Sequence, residues 1–297
     1  MDTEEYPTGS VVVGTDGSPP AERAVDFAAA EAARRGVGLH VLYAFPWLSR
    51  ARAWEFAPSP DITETGERVV SAAVDRVRAA QPGLELTTEV RVYDPATALV
   101  EASTRASVVV VGARGQGEAD EGVMGSVSQK VAAHARCAVV VVHGPSPAGP
   151  GAPVVVGMDP EDGAPEAMEY AFEEATRRGA KLVVVQGAQH DAAFPDFPDA
   201  VLSGQYDQTA GEFARITAER LNEWHHRFPD VPFELRLERE RPVRALVAAS
   251  AEASIVVVGT RARGGLAGLL LGSVSRGVAN RAPVVALVRA RHHGAAD

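Results

Sequence analysis

The sequence predicts two α/β domains in tandem, each a doubly wound parallel sheet with helices on both faces. Continuous apolar runs suited to buried strands, strand–helix alternation, and internal duplication predict it. The segment Val11-Val12-Val13-Gly14-Thr15-Asp16 returns as Val154-Val155-Val156-Gly157-Met158-Asp159. SVVVVG at 107–112 returns as SIVVVG at 254–259, and Met124-Gly125-Ser126-Val127-Ser128 as Leu271-Gly272-Ser273-Val274-Ser275. The offset is 143 residues for the first pair (159 − 16) and 147 for the others (259 − 112, 272 − 125). Three motifs in near-constant register mark a duplication, with the length difference between the first and fourth strands.

In the first repeat, strand one is Val11–Gly14. A helix follows, with Ser18 as N-cap, Pro19 in its first turn, and apolar Ala21, Val25, Ala28 and Ala32 every three or four residues. Gly36 ends it. Strand two is Leu39–Ala44, and the second helix runs through Val70, Ala73, Val74 and Val77. Strand three, 86–92, alternates polar and apolar residues, as an edge strand does. Helix three covers about 96–106, strand four 108–111, helix four 126–135 and strand five Ala138–Val142. In the second repeat the first helix carries Ala164, Met168, Ala171 and Ala175, and the second Phe213, Ile216, Leu221 and Trp224. Strands one, four and five are apolar throughout, the pattern of parallel strands covered on both faces. Residues 144–153 (GPSPAGPGAP) hold no regular element and divide the chain into domains 1–146 and 147–297.

With 297 residues, 46% hydrophobic and 23% charged, the chain can bury two cores. Lys and Arg total 29 against 39 Asp and Glu, a formal charge of −10, which disfavours nucleic acid and anionic membrane as partners. A phosphate ligand therefore needs local donors. The single cysteine, Cys137, heads an apolar run and reads as a core residue. No apolar stretch is long enough to span a bilayer, and the acidic start MDTEEYPTGS has no secretory pattern, so a cytoplasmic location is expected.

The chemistry concentrates after strand four, where Gly112-Ala113-Arg114-Gly115 precedes Gly125-Ser126 across nine residues. Glycines there permit close backbone approach to a ligand. Ser126 and Ser128 begin a helix, whose N–H groups and dipole favour an anion. The logic is that of a phosphate cradle, without the Gly-Lys-Ser/Thr of the Walker type. Taken singly, these glycines serve a tight turn and Ser126 a cap. As a duplicated set after a buried strand they favour ligand binding. Asp16 ends strand one, where a carboxylate accepts hydrogen bonds from a ribose hydroxyl or an adenine amino group. Asp16-Gly17-Ser18 is equally good turn chemistry.

Gly-x-x-Gly, nine residues, then Gly-Ser, with an aspartate ending strand one, resembles the ATP-binding signature of the universal stress protein family. Both repeats share the likeness, and 264–275 (GGLAGLLLGSVS) is close to the family's wording. The resemblance implies flavodoxin-like or Rossmann-like five-stranded sheets of order 3-2-1-4-5. It implies ATP, with or without Mg²⁺, in the first repeat at Asp16, Ala44, Gly112, Gly115, Gly125, Ser126, Val127 and Ser128. The weaker set in the second repeat is Asp159, Gly187, Gly259, Gly272, Ser273, Val274 and Ser275. It also implies pairing, within one tandem chain or between two copies, with the fifth strands Ala138–Val142 and Val284–Val288 meeting.

The repeats differ where it matters. In the first, Glu118, Asp120 and Glu121 lie in the loop 116–124, as a solvated tip or, if they face a triphosphate, across a Mg²⁺ ion. In the second, Ala262 replaces the second glycine, Pro160 replaces Gly17, and Asp162 is available to cap the next helix. Weaker or absent binding is expected there. Trp47 and Trp54, like Phe194 and Phe197, are expected to pack rather than to bind. His225, His226, His292 and His293 show no metal spacing, and no nucleophile, base and orienter can be nominated. Three functions follow. The first is an ATP-binding regulatory protein with at most slow hydrolysis, and the second a nucleotide-free interaction protein. The third is an enzyme using an adenine nucleotide or flavin.

Overall fold

The computed structural model describes residues 8–45, 60–115, 123–145, 149, 151–159, 164–187, 215, 217–260 and 271–289. These fall into two compact units. The first runs to Pro145 and also takes in Thr260–Arg289; the second centres on Ser146–Gly259.

In the first unit, strand β1 (Val11–Gly14) leads into helix α1 (Pro19–Arg35), strand β2 (Leu39–Ala44) and helix α2 (Pro60–Ala80). Strand β3 (Leu86–Arg91), helix α3 (Pro95–Ala102), strand β4 (Val108–Gly112), helix α4 (Ser126–His134) and strand β5 (Ala138–Val142) follow. The order β3-β2-β1-β4-β5 is the expected one, and every pairing among these five strands is parallel. Val11, Val12, Val13, Val108, Val109 and Val110 are wholly buried. Covering each valine contributes on the order of 1.5–3 kcal/mol, which is why β1 and β4 occupy the centre of the sheet. Helix α1 packs on α2, and α3 on α4, the two-sided cover that right-handed crossovers produce.

Helix boundaries follow from capping. Ser18 caps α1 by accepting from Ala21 N, and Gly36, left-handed at φ 65°, ends it. Helix α3 stops at Ala102, short of the expected 106. Ser103 Oγ donates to Val100 O and Thr104 Oγ1 to Glu101 O, so side-chain hydroxyls take carbonyls that further helical turns would use. Glu31 of α1 is buried, with Arg34 at 2.8 Å and Arg35 at 2.6 Å on its two oxygens.

Strand β10 (Val284–Val288) also belongs to this unit. It pairs antiparallel with β5, Val285 opposite Val141 and Ala286 opposite Val140. The fifth strands of the two repeats thus meet, as the resemblance implied.

In the second unit, strands β6 (Val154–Gly157), β7 (Leu182–Gly187), β8 (Phe233–Glu238) and β9 (Ile255–Gly259) stand in the order β9-β6-β7-β8, all parallel. Helix α5 (Pro165–Arg178) repeats the buried charge cluster: Glu174 is buried with Arg177 and Arg178 on its oxygens. Helix α6 (217–227) places Trp224 in a stack on Phe172, centroids 5.9 Å apart. Helix α7 (Pro242–Ala249) precedes β9. Ala164 lies outside α5 rather than within it: it is the residue before Pro165, left-handed at φ 39°. Phe213 and Ile216 fall outside the described residues. No described helix is long and apolar enough to cross a membrane.

Candidate functional site

In the first unit the sheet sets β2 on one side of β1 and β4 on the other, and the crossover direction reverses between β1 and β4. The crevice beyond the carboxyl ends of strands at such a reversal is where open α/β sheets take ligands. Asp16 follows β1, Ala44 ends β2, and Gly112 ends β4. The fold therefore delivers these residues to one end of the sheet.

Asp16 is fixed by its own turn. Ser18 N donates to Asp16 Oδ1 at 3.0 Å, Gly17 N donates to Thr15 Oγ1 at 3.2 Å, and Gly17 is left-handed at φ 76°. The other carboxylate oxygen faces Gly115: a Cβ on Gly115 would run into Asp16 Oδ2. Glycine at 115 is thus demanded by the aspartate as well as by any ligand. Gly112 is demanded by packing, because a Cβ there would come within 2.9 Å of the Pro20 carbonyl carbon and 3.0 Å of Ala21 N, at the first turn of α1. One Asp16 oxygen closes the turn while the other faces Gly115.

The start of α4 is bound to the end of β4. Gly125 N donates to Ala113 O at 2.7 Å, and Ser128 Oγ donates to Ala113 O at 2.8 Å or to Gly125 O at 3.0 Å. Ser128 is buried, so its hydroxyl acts inward, as a pin between loop and helix, and not toward a phosphate. Ser126 is exposed and Val127 half-buried. The helix takes Gly125 as N-cap with no side-chain cap, and its first intrahelical bond runs from Gln129 N to Gly125 O. The N–H groups of the first turn then have no intrahelical acceptor.

Sequence reading missed four residues here. Ala113 is the carbonyl hub just described, and its N–H donates to Val142 O at 2.8 Å. Arg114 sets a cation at the loop mouth and donates from Nε to Val123 O at 3.1 Å. His143 follows β5; its carbonyl accepts two bonds from Arg23, and its Nε2 meets Ala279 O at 2.5 Å. Burial pushes the His143 imidazole below its ordinary value, the Ala279 carbonyl opposes this, and the charges of Arg114 and Arg23 reinforce it. Asn280 Oδ1 accepts from Met124 N at 3.1 Å. Ala113 and Arg114 lie within the glycine motif after β4, whereas His143 and Asn280 act over long sequence separations.

In the second repeat, Asp159 follows β6, and Gly187 and Gly259 end β7 and β9, all in the second unit. Gly187 has a packing reason: a Cβ would sit 2.6 Å from Pro242 Cα. A Cβ on Gly259 would lie 3.4 Å from Ala164 Cβ and 3.9 Å from Ala167 Cβ, ordinary contacts, so among the described residues nothing demands glycine at this counterpart of Gly112. Gly272, Ser273, Val274 and Ser275 start helix α8 (Ser273–Ala279), which groups with the first unit. Ser275 Oγ donates to Gly272 O at 3.0 Å, turned inward like Ser128. The N-cap of α5 is Ala164, with no side-chain cap, and not Asp162. Counting from the aspartates, α1 starts at Pro19 but α5 starts at Pro165, three residues beyond the equivalent position 162 (19 + 143). A proline cannot adopt the positive φ of Gly17, so Pro160 forbids the first repeat's turn. Pro160, Asp162, Ala262, Glu118, Asp120, Glu121, Trp47, Trp54, Phe194, Phe197, His292 and His293 lie outside the described residues.

The profile of the universal stress protein family matches residues 8–143 and again 152–289. The chain belongs to that family. A universal stress protein of Mycobacterium tuberculosis is 36% identical over 289 residues, covering 93% of this chain and 95% of the relative. A universal stress protein from Archaeoglobus fulgidus has a similar fold, with TM-score 0.64 at 20% identity, covering 94% of this chain and 98% of that one. A universal stress protein solved in complex with cAMP is 30% identical over 46% of this chain and 97% of its own, with TM-score 0.37. This universal stress protein is therefore a tandem member carrying two family domains. Among its described residues no three His, Cys, Asp or Glu side chains group to hold a metal ion.

Proposed function

We propose that the first repeat binds an adenine nucleotide, ATP with or without Mg²⁺, and that occupancy serves a regulatory or stress-response role in the cytoplasm. The observation that carries the reading is the meeting of Asp16 Oδ2 with Gly115, beside the uncapped start of α4. It brings a hydrogen-bond acceptor, a side-chain-free backbone and a helix N-terminus to one point, at the reversal of the sheet.

Each group has a task the geometry supports. Asp16, held by Ser18 N, accepts from ribose hydroxyls or the adenine amino group, with the end of β2 at Ala44 beside the base. Gly112, Gly115 and Gly125 let backbone N–H groups approach phosphate oxygens. Ser126 and Val127 offer helix N-terminal N–H groups, and the exposed Ser126 hydroxyl adds a donor. Ser128 holds this turn in place. Bound nucleotide supplies charge that the helix terminus favours, and it biases shape only through a difference in affinity between states. On this reading hydrolysis is at most slow, and the protein acts as a binder.

The second repeat, within domain bounds of 1–146 and 147–297, binds more weakly or not at all. Its later helix start and Pro160 remove the turn that fixes Asp16 in the first. A nucleotide-free interaction protein on the same fold is the second reading, favoured by the inward commitment of Ser128 and Ser275.

Acid denaturation of freshly purified protein, with chromatography of the released small molecules, separates the two. Adenine nucleotide in wild type, reduced in Asp16→Ala, is the expected result. Wild-type protein that releases none, and takes up none when supplied with millimolar ATP, would favour the interaction protein.

A further inference from the structure

The fifth strands of the two repeats end in side chains that reach the carboxyl ends of the opposite cradle helices. After β5, His143 Nε2 donates to Ala279 O, at the last residue of α8, at 2.5 Å. After β10, Arg289 Nη1 donates to Ala133 O, next to last in α4, at 2.9 Å. His143 and Arg289 are equivalent, 146 residues apart like the strands they follow (289 − 143), whereas α4 and α8 are offset by 147 (273 − 126), so the two accepting carbonyls stand one position apart in register. The bonds still form a reciprocal pair about the antiparallel contact of β5 with β10. Donors at a helix carboxyl end satisfy orphan carbonyls, and a cation there opposes the negative end of the dipole.

The reciprocity is broken at one position. Asn280, one residue beyond Ala279, turns its Oδ1 to accept from Met124 N, immediately before Gly125 and Ser126. Its equivalent in the first repeat, Ala133 (280 − 147), carries only a methyl group and has no amide oxygen to offer. A residue of the second repeat therefore fixes the backbone at the mouth of the first repeat's cradle, and the alanine at 133 cannot return the bond.

We propose that Asn280 and His143 are positioning residues for the first repeat's nucleotide site: Asn280 holds the Met124 N–H that sets the entry to α4, and His143 holds the end of the helix that presents Asn280. The inference rests on nucleotide binding by the first repeat and adds that the site is completed by the second repeat's sequence. A first domain cut free of residues 273–289 then keeps Asp16 and its glycines but lacks the group that orders Met124.

The test uses the full chain, titrated with a fluorescent ATP analogue, with amide hydrogen exchange followed at Met124. Asn280→Ala is expected to weaken binding about fivefold, the effect of one lost hydrogen bond, and to speed exchange at Met124. His143→Ala is expected to weaken binding as well. His143→Gln, which returns an amide N–H near the place of Nε2, is expected to restore most of the affinity. Wild-type binding matched by both alanine variants overturns the inference and leaves the binding site standing. Weakened binding with unchanged exchange at Met124, or His143→Gln no better than His143→Ala, overturns the positioning roles. Wild-type protein that binds no adenine nucleotide overturns the binding reading and this inference together.

Discussion

Substituting Gly115 by alanine probes the contact on which the site depends. The new Cβ would enter the space of Asp16 Oδ2, while Asp16 Oδ1 is held by Ser18 N at 3.0 Å. The carboxylate must swing away, and the bond to Ser18 N is strained or lost. A hydrogen bond to a charged group contributes about 1.5–3 kcal/mol, and the partly exposed position of Asp16 puts this one near the lower end. The fold loses on the order of 1 kcal/mol, because the turn is also closed by Gly17 N on Thr15 Oγ1. The nucleotide loses more, since the acceptor that recognises it is displaced. A loss of about 1.4 kcal/mol or more is a tenfold rise in Kd. Calorimetric titration with ATP measures the affinity, and urea unfolding of the nucleotide-free protein measures the fold. Gly115→Ala binding as tightly as wild type, with Asp16→Ala strongly impaired, would refute the reasoning, since Asp16 would then not need the space beside Gly115.

Other outcomes follow from the buried groups. Glu31→Ala and Glu174→Ala each strand two arginines beside a buried site, and each is expected to cost about 3 kcal/mol in urea unfolding; a loss below about 1 kcal/mol would show the clusters to be ornamental. Burial pushes the Cys137 thiol up to about 12, so it is expected to resist a disulfide reagent at mildly alkaline pH in native protein and to react fully in denaturant. Prompt reaction in native protein would contradict this. His143 is held below its ordinary 6.5 by burial. The unfolded state then binds the proton first, so the histidine's contribution is complete above about pH 6.5 and is lost as pH falls through the window beneath it. The urea midpoint is expected to drop between pH about 7.5 and about 5.5, and to drop less in His143→Gln; an equal drop would place the effect elsewhere.

The fold was legible where local pattern and burial agree. Runs such as Val11–Gly14 and Ala138–Val142 are too apolar for a half-exposed strand, and they occupy the middle of the sheet. Ser18 and Gly36 declared the ends of α1 because capping is local chemistry. The candidate site was legible as a set of positions and not as directions. Ser128 was readable as a helix-start serine, but its hydroxyl points to Ala113 O, which depends on how α4 leans on β4. Glu31 with Arg34 and Arg35 reads as a solvated i, i+3 and i, i+4 cluster, and only packing puts the carboxylate inside. Ala164 shows a local rule overridden. The alanine is apolar and in helical register, yet it takes a left-handed backbone before Pro165, an arrangement costing about 1–2 kcal/mol. Asn280 was invisible because its partner Met124 lies 156 residues away.

The central claim is that the two repeats share a fold and divide the labour, the first binding nucleotide through Asp16 and Gly115. Isothermal titration of nucleotide-free full-length protein with ATP, beside Asp16→Ala and Asp159→Ala, tests it most directly. One tight site per chain, lost in Asp16→Ala and kept in Asp159→Ala, is the predicted result. Two sites of equal affinity, or a single site that survives Asp16→Ala, would contradict it.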